Sequence, residues 1–251
     1  MTSGGLLLVL AVLGRAYLEA SPARGHGALA RSRQATVRDA AVERFVVTAE
    51  DGVPIHGRLV RAGDGRRGVV LFSMCSRDAI DGWTPLVDRL AAARISSLTV
   101  TSPSPRPTRS VNVGEAQNTR ASDADAVVAA LVARLEPSAA LAVGGGNCGV
   151  HLALLAATRH ASKVRAALVL SGPYDEALPA RLAQLPAVAV FSGASRSEGP
   201  AIGWAEALRA ASTHPDSCVL IREGSAHGTE MLADDPVLTA DVAAWIVDRL
   251  R

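Results

Sequence analysis

Apolar and polar positions along this chain follow two different patterns, and the change between them predicts the order of its elements. Residues 42–48 and 55–60 alternate around Asp51-Gly52, which is typical of two antiparallel strands joined by a tight turn. Residues 68–72 instead form a continuous apolar run, as strands covered on both faces by helices do. A hairpin is therefore expected to open the fold, followed by strands buried on both sides.

From residue 68 onward, predicted strands alternate with predicted helices. Strands are expected at 68–72, 95–101, 139–143, 166–170, 187–191 and 218–221. Helices are expected at 83–91, 123–135, 149–157, 201–211 and 231–250. This alternation predicts a single α/β domain over residues 42–251, with a mostly parallel, doubly wound sheet and an N-terminal antiparallel hairpin. Residues 102–120 are rich in Pro, Ser and Arg and are expected to form a long loop over the strand ends.

Residues 1–41 differ from the rest and are interpreted as a loosely ordered leader. An apolar run at 6–13 precedes Ala28-Leu29-Ala30, which resembles the cleavage site of a signal peptide, although no Lys or Arg comes before the run. The run is much shorter than the roughly 20 apolar residues that a transmembrane helix needs. The pattern favours export over a cytoplasmic location and predicts no stable membrane span.

Charge and cysteine content narrow the classes of partner. The net charge is +2, and the first 40 residues are more basic than the remainder, so the predicted domain is close to neutral. It lacks the basic face that nucleic-acid binding requires. The three cysteines are too widely spaced for a zinc or redox motif, although one disulfide is possible. We therefore expect no nucleic acid, no metal and no organic cofactor.

The stretch 142–151, Ala-Val-Gly-Gly-Gly-Asn-Cys-Gly-Val-His, has the spacing of a G-x-S-x-G turn with Asn147 in place of the serine. Gly145 and Gly149 stand two residues before and after it, where a Cβ would collide with neighbouring backbone. The same glycines fit the G-x-G-x-x-G pattern of dinucleotide sites. That pattern also needs an acidic residue about 20 positions later, where this chain has Leu170-Ser171. The strand-to-helix turn is therefore the favoured interpretation.

With these motifs, the sequence from about residue 42 to the end resembles the α/β-hydrolase superfamily, and closely its dienelactone-hydrolase-like branch. The resemblance implies acyl transfer on a small ester, lactone or acyl compound by a triad in the order nucleophile, acid, histidine. It assigns Asn147 to the nucleophile position, Glu198 to the acid and His227, within Gly-Ser-Ala-His-Gly, to the histidine. It also implies an oxyanion hole made by the backbone N–H groups of Cys75 and Cys148.

Glu198 has a second interpretation. It is the only carboxylate within 192–199, but it lies one or two positions later than the resemblance requires. It could instead be a solvated residue near the start of the helix expected at 201–211, where a carboxylate favours the helix dipole.

The asparagine at the tip of the turn leaves the function open. A carboxamide nitrogen is delocalised and cannot form an acyl-enzyme, and losing the serine of a triad removes about a million-fold in turnover. Cys148 could serve as a thiolate nucleophile, because 146–150 comes close to the G-x-C-x-G motif of dienelactone hydrolases. Alternatively, Asn147 could deamidate to an aspartate nucleophile. The remaining hypothesis is a pseudoenzyme that keeps its pocket as a ligand-binding or interaction site.

Overall fold

The computed structural model of the protein describes residues 41–73, 80–101, 113–172, 174 and 176–251. The predicted leader lies outside these residues, apart from Ala41 at its end. Residues 102–112 of the predicted loop also lie outside them.

The described residues form an eight-stranded sheet whose strand order is β1-β2-β4-β3-β5-β6-β7-β8. β1 pairs antiparallel with β2, β2 pairs antiparallel with β4, and the remaining neighbours are parallel. The opening hairpin and the mostly parallel sheet are therefore confirmed. The strands are β1 (Ala41–Thr48), β2 (Pro54–Arg61), β3 (Arg67–Phe72), β4 (Ser96–Val100), β5 (Ala140–Gly146), β6 (Val164–Leu170), β7 (Ala189–Ser195) and β8 (Cys218–Arg222).

Helices cover both faces of the sheet and bury its apolar side chains. Successive side chains of β3 point to opposite faces of the sheet. Val70 and Phe72 pack on one face, in the core shared with the helices at 113–132, 149–159, 177–182 and 199–211. Val69 and Leu71 pack on the other face, in the core shared with the helices at 84–92, 230–234 and 236–249. This alternation explains the continuous apolar run, since both faces of the strand are dry. The helices are α1 (Thr84–Ala92), α2 (Val113–Val132), α3 (Gly149–Arg159), α4 (Ala177–Leu182), α5 (Gly199–Ala211), α6 (Glu230–Asp234) and α7 (Pro236–Arg249).

Three helical predictions were wrong in detail. The predicted loop 102–120 ends early, because α2 begins at Val113 in a polar stretch without apolar periodicity. The single helix predicted at 231–250 is two helices, since Asp235 is extended and precedes Pro236, which disfavours helical backbone at the residue before it. The short α4 was not predicted. The first two errors lie at element boundaries and the third is an omitted helix; none of them changes the succession of strands along the chain.

Asp235 caps α7, and replacing it with alanine should destabilise the protein. Its Oδ1 accepts hydrogen bonds from the N–H groups of Val237 and Leu238, both at 2.9 Å. Loss of such a cap costs about 1 kcal/mol of unfolding free energy. Urea unfolding of Asp235→Ala should show this loss, whereas Asp234→Ala, at an exposed neighbouring position, should unfold close to the parent. Equal stability of both variants would contradict the capping role.

Candidate active site

Asn147 lies in a sharp turn between the end of β5 and the start of α3. Its φ is +51°, in the left-handed region that asparagine tolerates better than most residues. The turn is fixed on both sides, because the Asn147 N–H donates to Leu170 O and the Val150 N–H donates to Asn147 O, each at 3.0 Å. The side chain of Asn147 is thus presented at the carboxyl edge of the parallel strands.

The glycines around Asn147 allow α3 to approach the sheet closely. A Cβ on Gly145 would lie 2.3 Å from the carbonyl oxygen of Gly149, and a Cβ on Gly149 would lie 2.2 Å from that of Phe72. Both separations are far below van der Waals contact with backbone that cannot easily move. The spacing of glycines in the sequence is therefore a packing requirement of this turn.

His227 and Glu198 meet Asn147 at this edge of the sheet. His227 follows β8 in the loop before α6, and its Nε2 lies 2.6 Å from Asn147 Nδ2. On the other side of the ring, Nδ1 is hydrogen-bonded to Glu198 Oε1. The side chain of Glu198 is only 13% exposed, against 40% for His227. The three side chains thus form one continuous chain of contacts from the largely buried Glu198 to the half-buried Asn147.

The second oxygen of Glu198 is also fully engaged. Oε2 accepts from the Ser171 hydroxyl at 2.6 Å and from the Ser195 N–H at 2.8 Å. With donors at both oxygens, Glu198 is an accepting carboxylate, so the proton of the neutral His227 ring lies on Nδ1. Nε2 then accepts from the Asn147 amide. Glu198 occupies the N-cap position of α5, yet its side chain makes no capping hydrogen bond, and its carboxylate contacts His227 instead.

The loop that carries His227 is held from two directions. The His227 N–H donates to Glu230 Oε2 at 3.1 Å. The Ser195 hydroxyl donates to Ala226 O, which ties the loop to the end of β7. The position of the His227 ring is therefore fixed by hydrogen bonds of the loop backbone as well as by those of its two ring nitrogens.

Solved structures with the same architecture include several hydrolases. A dienelactone hydrolase from Anabaena variabilis ATCC 29413 matches with a TM-score of 0.64 and 17% identity, covering 84% of this chain and 99% of its own. An esterase of Pyrococcus furiosus matches with a TM-score of 0.62 and 12% identity, covering 94% and 99%. The chain has the α/β-hydrolase fold. No protein-family model and no curated protein sequence matches it.

A further match is a dienelactone-hydrolase-like promiscuous phosphotriesterase from metagenomic libraries, with a TM-score of 0.58 and 14% identity, covering 84% of this chain and all of its own. Identities this low establish the α/β-hydrolase fold alone.

Cys148 is disulfide-bonded in this α/β-hydrolase fold. A disulfide sulfur carries no thiolate, so in this redox state Cys148 cannot act as the nucleophile that the sequence suggested. Its backbone N–H directly follows Asn147, and its role in an oxyanion hole stays a prediction. Cys75, the other predicted donor, lies outside the described residues.

Alkylation should distinguish the two cysteines that the structure describes. Cys218 is a free thiol whose pKa is raised by burial. In the denatured but unreduced chain, iodoacetamide should label the peptide containing Cys218 and leave the one containing Cys148 unlabelled. After reduction both peptides should be labelled. Labelling of Cys148 before reduction, measured by peptide mass spectrometry, would contradict the disulfide.

Sequence reasoning missed Ser171 as part of this site. The residue directly follows β6 and, because parallel strands align their carboxyl ends, it lies at the same edge as Asn147 and Glu198. A polar residue directly after a buried strand was the available signal.

Within the described ranges, no group of three or more His, Cys, Asp or Glu side chains is arranged to hold a metal ion. Among the same residues, every helix is too short or too polar to traverse a lipid bilayer.

Proposed function

We propose that this protein is an α/β-hydrolase-fold pseudoenzyme that binds a small ester, lactone or acyl compound without forming an acyl-enzyme. The observation that carries the proposal is the contact of 2.6 Å between Asn147 Nδ2 and His227 Nε2. In this contact, the carboxamide of Asn147 makes the hydrogen bond to His227 that the nucleophile of a triad would make. The ring of His227 is in turn held by Glu198.

The chemistry of this contact argues against turnover. Nucleophilic catalysis requires the histidine to remove a proton from a group that then attacks a carbonyl carbon. The amide nitrogen of Asn147 has no available lone pair, because it is delocalised into the carbonyl. In addition, the lone pair of His227 Nε2 is engaged by the Asn147 amide, so it is not free to activate water in this arrangement.

The same arrangement supports binding. The Asn147 amide has a second N–H that His227 does not use, and it stands next to the predicted oxyanion donor, the Cys148 N–H. A carbonyl oxygen of a ligand is the acceptor that such donors would bind. The hydrolases and esterases that share the fold support the choice of ester, lactone or acyl compounds as the ligand class.

An alternative function is weak, thiol-dependent ester hydrolysis by Cys148. It requires reduction of the disulfide that Cys148 forms in this structure. Disulfides persist in oxidising compartments. The disulfide therefore fits the proposed export of the protein and disfavours the thiol mechanism there.

Ligand titration and turnover together test the proposal. Short p-nitrophenyl esters and unsubstituted lactones would be added to the unreduced protein while the side-chain amide signals of Asn147 are followed by NMR. We expect saturable shifts without ester turnover above the uncatalysed rate. In Asn147→Leu, which lacks the side-chain amide, we expect the backbone amide signals of the neighbouring residues to show no saturable shift. Turnover by the unreduced protein, or titrations without any shift at Asn147, would overturn the proposal. Turnover that appears only after reduction and is lost in Cys148→Ala would establish the thiol alternative.

A further inference from the structure

The side chain of Ser171 is directed at the carboxylate of Glu198. Ser171 is 4% exposed, and its Oγ lies 2.6 Å from Glu198 Oε2 and 3.4 Å from Met231 Sδ. A hydroxyl has one proton to donate, and a charged carboxylate is a far stronger acceptor than a thioether. The proton of Ser171 therefore belongs to the contact with Glu198.

The backbone of Ser171 is held in an unfavourable conformation at this point. Its φ is +51°, which is uncommon for a residue with a Cβ. The Ser171 N–H donates to Gly193 O at 2.8 Å, which ties the end of β6 to β7. Side chains kept in such backbone conformations by their surroundings are concentrated at functional sites.

Glu198 lies beyond the end of its own strand, which supplies only one hydrogen-bond donor to its carboxylate. The last residue of β7 is Ser195, so the two turn residues Arg196 and Ser197 separate Glu198 from the sheet. The Ser195 N–H supplies one donor to Oε2 at 2.8 Å, and Ser171, from the neighbouring strand, supplies the other. Two donors on one oxygen leave the other oxygen, Oε1, aimed at His227 Nδ1.

We propose that Ser171 is a positioning residue for this site. It fixes the carboxylate of Glu198, and thereby keeps the ring proton of His227 on Nδ1 and the lone pair of Nε2 directed at position 147. The inference rests on the proposed function only in treating position 147 as the nucleophile position of the fold.

The tautomer of His227 in the full-length protein tests the proposal without any turnover. Ring ¹⁵N shifts report which nitrogen carries the proton, and His227→Gln identifies the signals of His227 among the histidines. At a pH where the ring is neutral, we expect Nδ1–H in the parent and a shift toward Nε2–H in both Ser171→Ala and Ser171→Gly. Ser197→Ala is the matched control, because its hydroxyl donates to Gly224 O and does not contact Glu198. An unchanged tautomer in both Ser171 variants would overturn the inference.

The glycine variant separates positioning from backbone strain. Glycine adopts a φ of +51° without penalty, so Ser171→Gly relieves the backbone while removing the hydroxyl. A purely structural role predicts a parent-like tautomer in Ser171→Gly and a changed one only in Ser171→Ala. The positioning role predicts the same change in both variants.

A kinetic readout in the Asn147→Ser background tells this inference apart from the proposed function. There, Ser171→Gly should lower kcat by about 10- to 100-fold and leave KM within about twofold, since misplaced catalytic groups slow the chemical step. If Asn147→Ser is inactive but the tautomer still responds to Ser171, the assignment of position 147 as a nucleophile position fails, and the effect of Ser171 on Glu198 and His227 stands. If Asn147→Ser is active but neither the tautomer of His227 nor kcat changes in the Ser171 variants, only the positioning role fails.

Discussion

Replacing Asn147 with serine should create an esterase. Asn147→Ser would put a hydroxyl beside His227 Nε2, which lies 2.6 Å from the present amide nitrogen and already has its proton on the opposite side of the ring. Because loss of the triad serine costs about a million-fold in kcat, restoring it should raise p-nitrophenyl butyrate hydrolysis over the parent by about 10³- to 10⁶-fold. The variant should also lose roughly 1 kcal/mol of stability, since serine tolerates a φ of +51° less well than asparagine.

His227 provides the control for this gain of activity. The double variant Asn147→Ser, His227→Ala should return to the rate of the parent, because the serine then has no general base. If Asn147→Ser folds but does not hydrolyse the ester, the site lacks another group that catalysis requires. Activity that survives without His227 would mean that the serine acts outside a triad.

Glu198→Gln in the Asn147→Ser background should lower kcat by about 10⁴-fold. A glutamine amide pointed at His227 Nδ1 would favour the wrong tautomer, leaving Nε2 protonated and unable to take the proton of serine. The carbonyl oxygen of the glutamine would keep the place of Oε2, where the Ser171 hydroxyl and the Ser195 N–H donate to it, and this holds the amide nitrogen toward His227. Steady-state hydrolysis of p-nitrophenyl butyrate measures the effect.

Glu223→Gln is the matched control for this substitution. Its side chain is 82% exposed and pairs with Arg196 at the surface, away from the ring of His227. It should keep the full rate of the Asn147→Ser protein. Equal rates of ester hydrolysis in the Glu198→Gln and Glu223→Gln variants would show that Glu198 is not the acid of the triad.

The succession of strands and helices and the turn at Asn147 could be predicted from the chain because they depend on local patterns. Continuous apolar runs marked the strands that are buried on both faces, such as β3, and glycine spacing marked the turn at Asn147. These two signals reflect physical requirements within a few residues, namely burial and close backbone approach. His227 was assigned through the resemblance to the α/β-hydrolase superfamily, on the motif Gly-Ser-Ala-His-Gly.

Other parts of the site depend on contacts between distant strands and could not be predicted. β7 continues through the buried small residues up to Ser195, four residues beyond its predicted end, and this extension brings Glu198 to His227. The role of Ser171 depends on β6 lying beside β7, which its own neighbours in sequence do not encode. The redox state of Cys148 likewise depends on a partner brought close by folding.

The most direct test of the account is covalent trapping with an organophosphonate, read by intact and peptide mass spectrometry. We predict no adduct on the unreduced parent, an adduct at position 147 of Asn147→Ser, and none on Asn147→Ser, His227→Ala. The parent peptide in the same spectra reports whether Asn147 has deamidated to aspartate. An adduct on the parent, or an Asn147→Ser protein that folds and cannot be trapped, would contradict a triad scaffold disabled only at its nucleophile.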